Sequence, residues 1–266
     1  EAMSLVVKHG LPASFVTEDT TRSHPDTLDR LFRTALEAGA TRLVLCDTVG
    51  HATPDGLRNL VGFTQGLLRS MDLQDQVELD WHGHNDRGLA LPLAILAFEL
   101  GVDRVHGCAL GIGERVGNTS MDLLLLNLDL LGQLDPKRHD LSRLVEYVSK
   151  VSSYTGVPIH PSYPLSGEDA FRTATGVHAA AIIKAQRRGD RELADRVYSS
   201  VPARRYGRAQ VIEVGHYSGR SNVICWLSER GMEPDDAVVD AILGVAKKSD
   251  HTMTETEIRD VISGLG

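Results

Sequence analysis

Two histidines, His82 and His84, follow the alternating run 77–80, which is typical of the end of a β-strand. Residues two apart on a strand point to the same side, so both imidazoles can be directed at one point in space. Convergent imidazoles at such a spacing are typical of a divalent metal site. The alternative is a pair of unrelated polar residues at a strand end, so the interpretation depends on the surrounding sequence.

Short apolar runs alternate with helical patterns around these histidines. Four strand–helix repeats occupy about 120 residues with a period near 30, as expected for parallel strands joined by crossover helices. Strands are predicted over 13–16, 42–46, 77–82 and 104–109, and helices over 2–9, 25–38, 54–70, 89–100 and 121–131. Each strand is followed by polar residues, which parallel strands place at one edge of a sheet.

A mostly helical region follows. Helices are predicted over 141–155, 176–187, 192–198, 235–248 and 255–265, with a short strand or extended segment over 210–214. We therefore expect two domains, a partial barrel over 1–135 and a helical subdomain over 136–266. The chain also begins inside a helical pattern without a preceding cap, from which we expect that its first part is missing.

Composition narrows the class of protein. The 266 residues carry a net charge of −8, which argues against a general nucleic-acid partner. No apolar stretch is long enough to cross a membrane, and no signal peptide is recognisable. Three scattered cysteines do not form a disulfide framework, so we expect a reducing cytoplasm.

Four ordered motifs resemble those of the metal-dependent acyl-CoA condensing and lyase barrels. They are Phe-Val-Thr-Glu-Asp at 15–19, Asp-Thr-Val-Gly at 47–50, Gly-His-Asn-Asp-Arg-Gly at 83–88 and Gly-Ile-Gly-Glu-Arg-Val-Gly-Asn at 111–118. That family includes isopropylmalate, homocitrate and citramalate synthases and the hydroxymethylglutaryl-CoA lyases. Segments 170–179 and 213–222 resemble the helical extension of the synthases, which the lyases lack, so 2-isopropylmalate synthase is the nearest type.

The resemblance implies an α/β fold: the C-terminal half of a (βα)₈ TIM barrel, strands five to eight, followed by the helical subdomain. The family's first strand ends in an Asp-Thr-Thr-Leu-Arg-Asp-Gly type of motif, which supplies an arginine and a metal-binding aspartate. This sequence contains no such motif. Segment 19–22, Asp-Thr-Thr-Arg, is similar in letters but follows the strand that matches strand five.

The resemblance also assigns the metal ligands. His82, His84 and Asn118 are carried over as ligands of Mg²⁺, Mn²⁺ or Zn²⁺; for Asn118 the alternative is a residue that caps a loop. Glu18 is carried over as a catalytic carboxylate and Thr48 as a hydrogen-bond donor to the substrate carboxylate. Their alternatives are a helix-start carboxylate and a hydroxyl that satisfies the backbone.

Three further residues complete the implied site. Glu114 is expected to organise the substrate-binding loop by pairing with Arg87 or Arg115. His178, from the helical extension, is expected to act as the base in the active site of a second subunit, so a homodimer is implied; the alternative is a helix-surface histidine. Tyr206 is carried over as a substrate-facing tyrosine on a looser match.

The implied reaction is a Claisen condensation of acetyl-CoA with 2-oxoisovalerate, followed by thioester hydrolysis to 2-isopropylmalate, a step of leucine biosynthesis. Homocitrate and citramalate synthase activities, which differ in the 2-oxo acid, are the alternatives within this class. An alternative of another class is a non-catalytic fragment or subunit, whose partner chain supplies strands one to four.

Overall fold

The computed structural model describes residues 1–265, which form two compact units: Glu1–His139 and a second that begins at Asp140. The helices are α1 Ala2–Lys8, α2 Pro25–Glu37, α3 Pro54–Ser70, α4 Ala90–Glu99, α5 Met121–Leu130, α6 Leu144–Thr155, α7 Gly176–Arg187, α8 Arg191–Arg196, α9 Arg220–Glu229, α10 Asp236–Ala246 and α11 Glu255–Ser263. The strands are β1 Ser14–Thr17, β2 Arg42–Asp47, β3 Glu78–Gly83, β4 Arg104–Val105, β5 Arg172–Thr173 and β6 Val211–Ile212.

The first unit is built on a parallel sheet with the order β1-β2-β3-β4. Its register pairs Thr17 with Leu45, Cys46 with His82, and Trp81 with Val105. The α/β class with a parallel sheet, predicted from the alternating pattern, is confirmed. Because the strands are parallel and in sequence order, the residues that follow them lie along one edge of the sheet.

Helices cover one face of this sheet because their apolar residues recur at helical spacing. Pro25 and Pro54 begin α2 and α3, and the Thr53 side chain caps α3 by accepting a hydrogen bond from Gly56. Alternate strand residues complete this core: Leu43, Leu45, Leu79 and Trp81. The residues between them point to the opposite face, here called the second face: Val16, Val44, Cys46, Asp80 and His82.

The fourth strand is shorter than predicted. It pairs with β3 only over Arg104–Val105, instead of over the whole run 104–109. The backbone leaves the sheet because Cys108 forms an isolated bridge with Ser120 and a 3-10 turn follows at Ala109–Gly111. The prediction of a strand over 106–109 was therefore wrong: the His106 amide still donates to the carbonyl oxygen of Trp81, but Cys108 bonds to Thr119 and Met121 instead of to β3.

The second unit is helical apart from the parallel pair β5-β6. Helix α9 was not predicted, although Val223, Trp226 and Leu227 are buried at helical spacing. The Asn222 side chain, fully buried, donates to the carbonyl oxygens of Ala174 and Glu213, and so ties α9 to the segments around it. Within residues 1–265 no helix is long and apolar enough to span a bilayer.

Candidate functional site

The glycine-rich loop 107–120 folds back against the end of β3. His84 and Asn118 form an isolated antiparallel bridge, and the amide of Asn85 donates to the carbonyl oxygen of Gly117 at 2.9 Å. These contacts bring Asn118 beside His84. The grouping therefore depends on backbone pairing between two segments that are distant in sequence.

Two glycines allow this close approach. Gly117 has φ +87°, and a Cβ there would lie 1.9 Å from the carbonyl oxygen of Gly111. A Cβ on Gly113 would lie 2.1 Å from Oδ1 of Asn118. Any larger residue at either position would displace the loop or the Asn118 amide, so the spacing of these glycines is a requirement of the site.

The donor atoms at this end of β3 suit a divalent cation. The His82 and His84 ring centroids are 5.2 Å apart with the rings nearly perpendicular. Nδ1 of His84 and Nδ2 of Asn118 are buried and have no hydrogen-bond partner in the described part of the chain. Rotating the Asn118 amide by a half-turn would place its oxygen, the atom that can bind a metal, where its nitrogen lies. Unpaired buried polar atoms are costly. A bound cation would satisfy Nδ1 of His84 when that nitrogen carries no proton, and the Asn118 amide once its oxygen is turned into this position.

The electrostatics of His82 also suit a ligand. Burial lowers the pKa of His82, and the neighbouring imidazoles of His106 and His84 lower it further. A lowered pKa keeps the ring neutral at physiological pH, which metal coordination requires. Within residues 1–265 no three His, Cys, Asp or Glu side chains are grouped to hold a metal. A cation held by these two imidazoles would therefore need the Asn118 amide and further ligands.

Thr48 directly follows β2, at the same end of the sheet as the histidines that follow or end β3. Its hydroxyl oxygen accepts a hydrogen bond from the amide of Asp19 at 2.7 Å, and its carbonyl oxygen accepts one from Arg115 at 2.6 Å. The hydroxyl thus satisfies a backbone amide by accepting its hydrogen bond, as the alternative interpretation of Thr48 expects. It also keeps its own proton to donate, because a hydroxyl can accept and donate at once.

Glu18 follows β1 and is exposed. Its charge acts on Cys46: burial raises the pKa of that thiol to about 11, and the nearby Glu18 carboxylate adds to the shift. Cys46 pairs in register with His82. Glu18 therefore lies on the side of the sheet that carries the histidines, although no hydrogen bond joins it to them within the part of the chain that is described.

The loop that carries Glu114 is held mainly by the next residue, Arg115. Arg115 binds both carboxylate oxygens of Asp86, at 2.9 and 3.1 Å, and this contact lowers the pKa of Asp86. The Glu114 carboxylate is 3.7 Å from Arg115 and 78% exposed, and Arg87 donates instead to the carbonyl oxygen of His51. Asp86 is thus a loop anchor that the sequence reasoning missed, although it stands within the motif 83–88.

Asp47 is a second anchor that was missed. Its side chain is 1% exposed and accepts hydrogen bonds from the Thr21 hydroxyl and from the amides of His51 and Ala52. These bonds fix the loop that carries Thr48. The available signal was an aspartate at a strand end followed by a turn, where its carboxylate can accept from amides further along.

His178 and Tyr206 lie in the second unit. His178 is exposed in the first turn of α7 and stacks on Tyr198, with ring centroids 4.0 Å apart. Tyr206 closes the 3-10 turn Ala203–Tyr206 and is fully buried. The six other predicted site residues belong to the first unit, and all eight functional assignments stay predictions.

Residues 1–151 match the family model described as HMGL-like. The chain belongs to the HMGL-like family. The matched region contains all six predicted site residues of the first unit, and the resemblance inferred from their motifs is confirmed at the level of the family.

Two curated relatives extend the similarity of this HMGL-like chain into its second unit. Homocitrate synthase AksA of Methanopyrus kandleri is 33% identical over 235 residues, covering 88% of this chain and 55% of that protein. A homocitrate synthase of Saccharolobus solfataricus is 30% identical over 250 residues, covering 94% of this chain and 50% of that protein. The chain thus spans about half the length of the curated relatives it matches.

A solved structure supports the fold alone. Hydroxymethylglutaryl-CoA lyase from Pseudomonas aeruginosa superposes with a TM-score of 0.51 at 17% identity, covering 59% of the HMGL-like chain and 54% of the lyase. This similarity agrees with the parallel α/β sheet of the first unit.

Proposed function

We propose that this chain carries the metal-binding and proton-transfer groups of a synthase that condenses acetyl-CoA with a 2-oxo acid. The observation that supports this most directly is the closeness of the His82 and His84 rings at the end of β3, with Asn118 bridged to His84 and unpaired buried atoms on His84 and Asn118. A divalent cation bound there would supply Lewis-acid polarisation of the acceptor's ketone. Mg²⁺, Mn²⁺ and Zn²⁺ are all compatible with two imidazoles and an amide oxygen.

The chain's own residues would orient the acceptor. Thr48 keeps a hydroxyl proton that can be donated to the carboxylate of the 2-oxo acid, while Asp19 holds its oxygen in place. Glu18 lies on the same side of the sheet and would assist proton movement near the ketone oxygen. Glu114 is exposed beside Arg115 and would contribute to the mouth of the substrate site.

Removal of a methyl proton from acetyl-CoA requires a base near neutral pH, and an imidazole suits that role. His178 is exposed and therefore accessible, and its stacking on Tyr198 restricts the ring. We propose that it serves the active site of a second copy in a homodimer. Tyr206 is fully buried in this chain, so a contact with substrate would require the turn that carries it to rearrange.

The proposed acceptor is 2-oxoisovalerate, on the resemblance to 2-isopropylmalate synthase. The names of the relatives favour other acceptors within the same class of reaction. Two are homocitrate synthases, whose acceptor would be 2-oxoglutarate, and another relative at 30% identity is provisionally assigned as (R)-citramalate synthase CimA, whose acceptor would be pyruvate. These acceptors share the 2-oxo acid group and differ only in the side chain.

We also propose that the sheet of the first unit is the C-terminal half of an eight-stranded barrel. Within the described residues β1 and β4 are the sheet edges, and the sequence order of the strands is that of consecutive barrel strands. An exposed parallel edge is a template for further pairing. The second candidate function is thus a subunit that becomes active only when strands one to four are supplied.

The deciding experiment measures release of free CoA from acetyl-CoA with each of the three acceptors. The chain would be assayed alone and after co-expression with a polypeptide that spans strands one to four of a related synthase. We expect acceptor-dependent release only from the co-purified pair, and mass spectrometry of the product identifies the acceptor. A pair that binds a divalent metal but releases no CoA with any acceptor would contradict the proposed activity.

A further inference from the structure

A buried carboxylate lies beneath the histidine pair. Asp80 precedes His82 by two residues on β3, so both side chains project from the second face of the sheet. The Asp80 side chain is 1% exposed and forms an ion pair with Arg42, which also pairs with Glu78, and a longer one with Arg104 at 3.9 Å. Its other oxygen, Oδ2, lies 3.0 Å from Nε2 of His106.

His106 occupies the space between this carboxylate and His82. A carboxylate only accepts hydrogen bonds, so Nε2 of His106 carries the proton that is shared with Asp80. The His106 ring lies against the His82 ring, with centroids 5.5 Å apart and planes 64° apart. The His82 and His84 rings are also close, with centroids 5.2 Å apart. Asp80, His106, His82 and His84 thus form a continuous row.

His106 is not itself a ligand in this arrangement. No group of three His, Cys, Asp or Glu side chains in residues 1–265, and therefore not His82, His84 and His106 together, is placed to hold a metal. Nε2 of His106 is 3.0 Å from Asp80. The His106 ring instead packs against one side of the His82 ring. Because the His106 ring is held by a hydrogen bond to a buried, ion-paired carboxylate, its orientation is restricted. It therefore restricts the His82 imidazole that packs against it.

We propose that His106, held by Asp80, is a positioning residue that orients the imidazole of His82 toward the cation. This inference rests on the proposed metal site at His82, His84 and Asn118. It assigns a function to a histidine that none of the proposed steps uses. It also gives a role to the polar network of Arg42, Asp80 and His106, in which the Asp80 side chain is 1% exposed and the His106 side chain 35%.

The test is a Co²⁺ titration of the full chain, read by calorimetry and by the visible absorption of bound Co²⁺. For His106→Ala we expect affinity to fall roughly 10- to 100-fold, the usual cost of losing such a supporting group, with a changed absorption band. His106→Gln should recover much of the affinity, because its amide can donate to Asp80 and lie flat against His82. His139→Ala, on an exposed histidine away from β3, is the matched control.

The outcomes separate this inference from the proposed function. If His82→Ala lowers Co²⁺ affinity but His106→Ala does not, the positioning role is wrong and the metal site stands. If His82→Ala binds Co²⁺ like the wild-type chain, the metal site itself is wrong. Should His106→Ala fail to fold, His106→Leu, which cannot donate a hydrogen bond to Asp80, replaces it, and wild-type affinity and absorption in that variant would overturn the inference.

Discussion

His84 and Asn118 face each other across an antiparallel bridge that joins the end of β3 to the glycine-rich loop. The bridge is a backbone contact, so the positions of both side chains are set by the main chain rather than by flexible rotamers alone. Two donors from separate segments are thereby brought together before any cation binds. Such preorganisation reduces the cost of assembling a metal site.

Removing either imidazole tests the assignment of the ligands. We expect His82→Ala and His84→Ala each to lower bound metal at least tenfold after exposure to Mn²⁺ or Zn²⁺ and desalting, because each removes one of three protein donors. Elemental analysis provides the measurement, with His139→Ala as control. Metal content equal to the control in both variants would show that the ion, if any, binds elsewhere.

The glycines of the loop give a second test. For Gly117→Ala we expect a clear loss of thermal stability and of metal affinity, because a Cβ would lie 1.9 Å from a carbonyl oxygen at φ +87°. Gly132→Ala is the matched control: φ is +71°, with no atom within 4 Å of the added Cβ. Gly132→Ala should lower the free energy of unfolding by only about 1–2 kcal/mol, the usual penalty of a left-handed residue. Equal effects of the two substitutions would remove the steric argument.

Much of the first unit was predictable because local signals agree with the tertiary structure. Pro54 with the Thr53 cap marks the start of α3, and its apolar spacing predicts the end at Ser70 as observed. The His-x-His spacing likewise predicts a shared direction, which the ring geometry of His82 and His84 bears out.

The missed features depend on contacts that the local sequence does not encode. β5 is two residues long and exists only because Arg172–Thr173 pairs with Val211–Ile212, which lies in the segment 210–214 predicted as a short strand or extended segment. The row from Asp80 through His106 to His82 requires the register of β3 with β4, which no local pattern specifies. Helix α9 is the exception, because Val223, Trp226 and Leu227 recur at helical spacing and the local sequence therefore does indicate it.

Stability of the second unit should depend on pH through His251. Hydrogen bonds to Asp250 and Glu257 raise the pKa of His251 above its usual 6.5, and contacts with Thr254 and His251 lower the pKa of Glu257 to about 2. The histidine's contribution is fully present below pH 6.5 and is lost as pH rises through its raised pKa. The glutamate's contribution is present above about pH 4.5 and is lost as pH falls toward 2.

Both contributions are therefore complete between about pH 4.5 and 6.5. We expect the unfolding temperature in this window to exceed that at pH 8.5 by a small amount, because the groups are exposed and screened. In His251→Gln this difference should shrink, and 1 M NaCl should reduce it in the wild-type chain. A His251→Gln profile that overlays the wild-type profile would contradict the assignment; His139→Gln is the control.

His178 provides the last test, which requires the co-purified active pair. His178→Ala should lower turnover by roughly 10²- to 10⁴-fold, the usual value of general acid–base catalysis, with Mn²⁺ content unchanged. Val177→Ala, which changes the adjacent exposed residue, is the control for disturbance of α7. His178→Gln should not recover activity, because an amide cannot accept the proton.

The position of His178 in a second copy is tested by mixing. A His178→Ala chain retains its metal ligands, and a His82→Ala chain retains its base. If the base acts across a homodimer, one of the two active sites in a mixed dimer contains both intact groups, and part of the activity returns. If the base acts within its own chain, every site in the mixed dimer lacks one group. Mixed dimers that are shown to form by mass spectrometry yet regain no activity would therefore exclude action across the dimer.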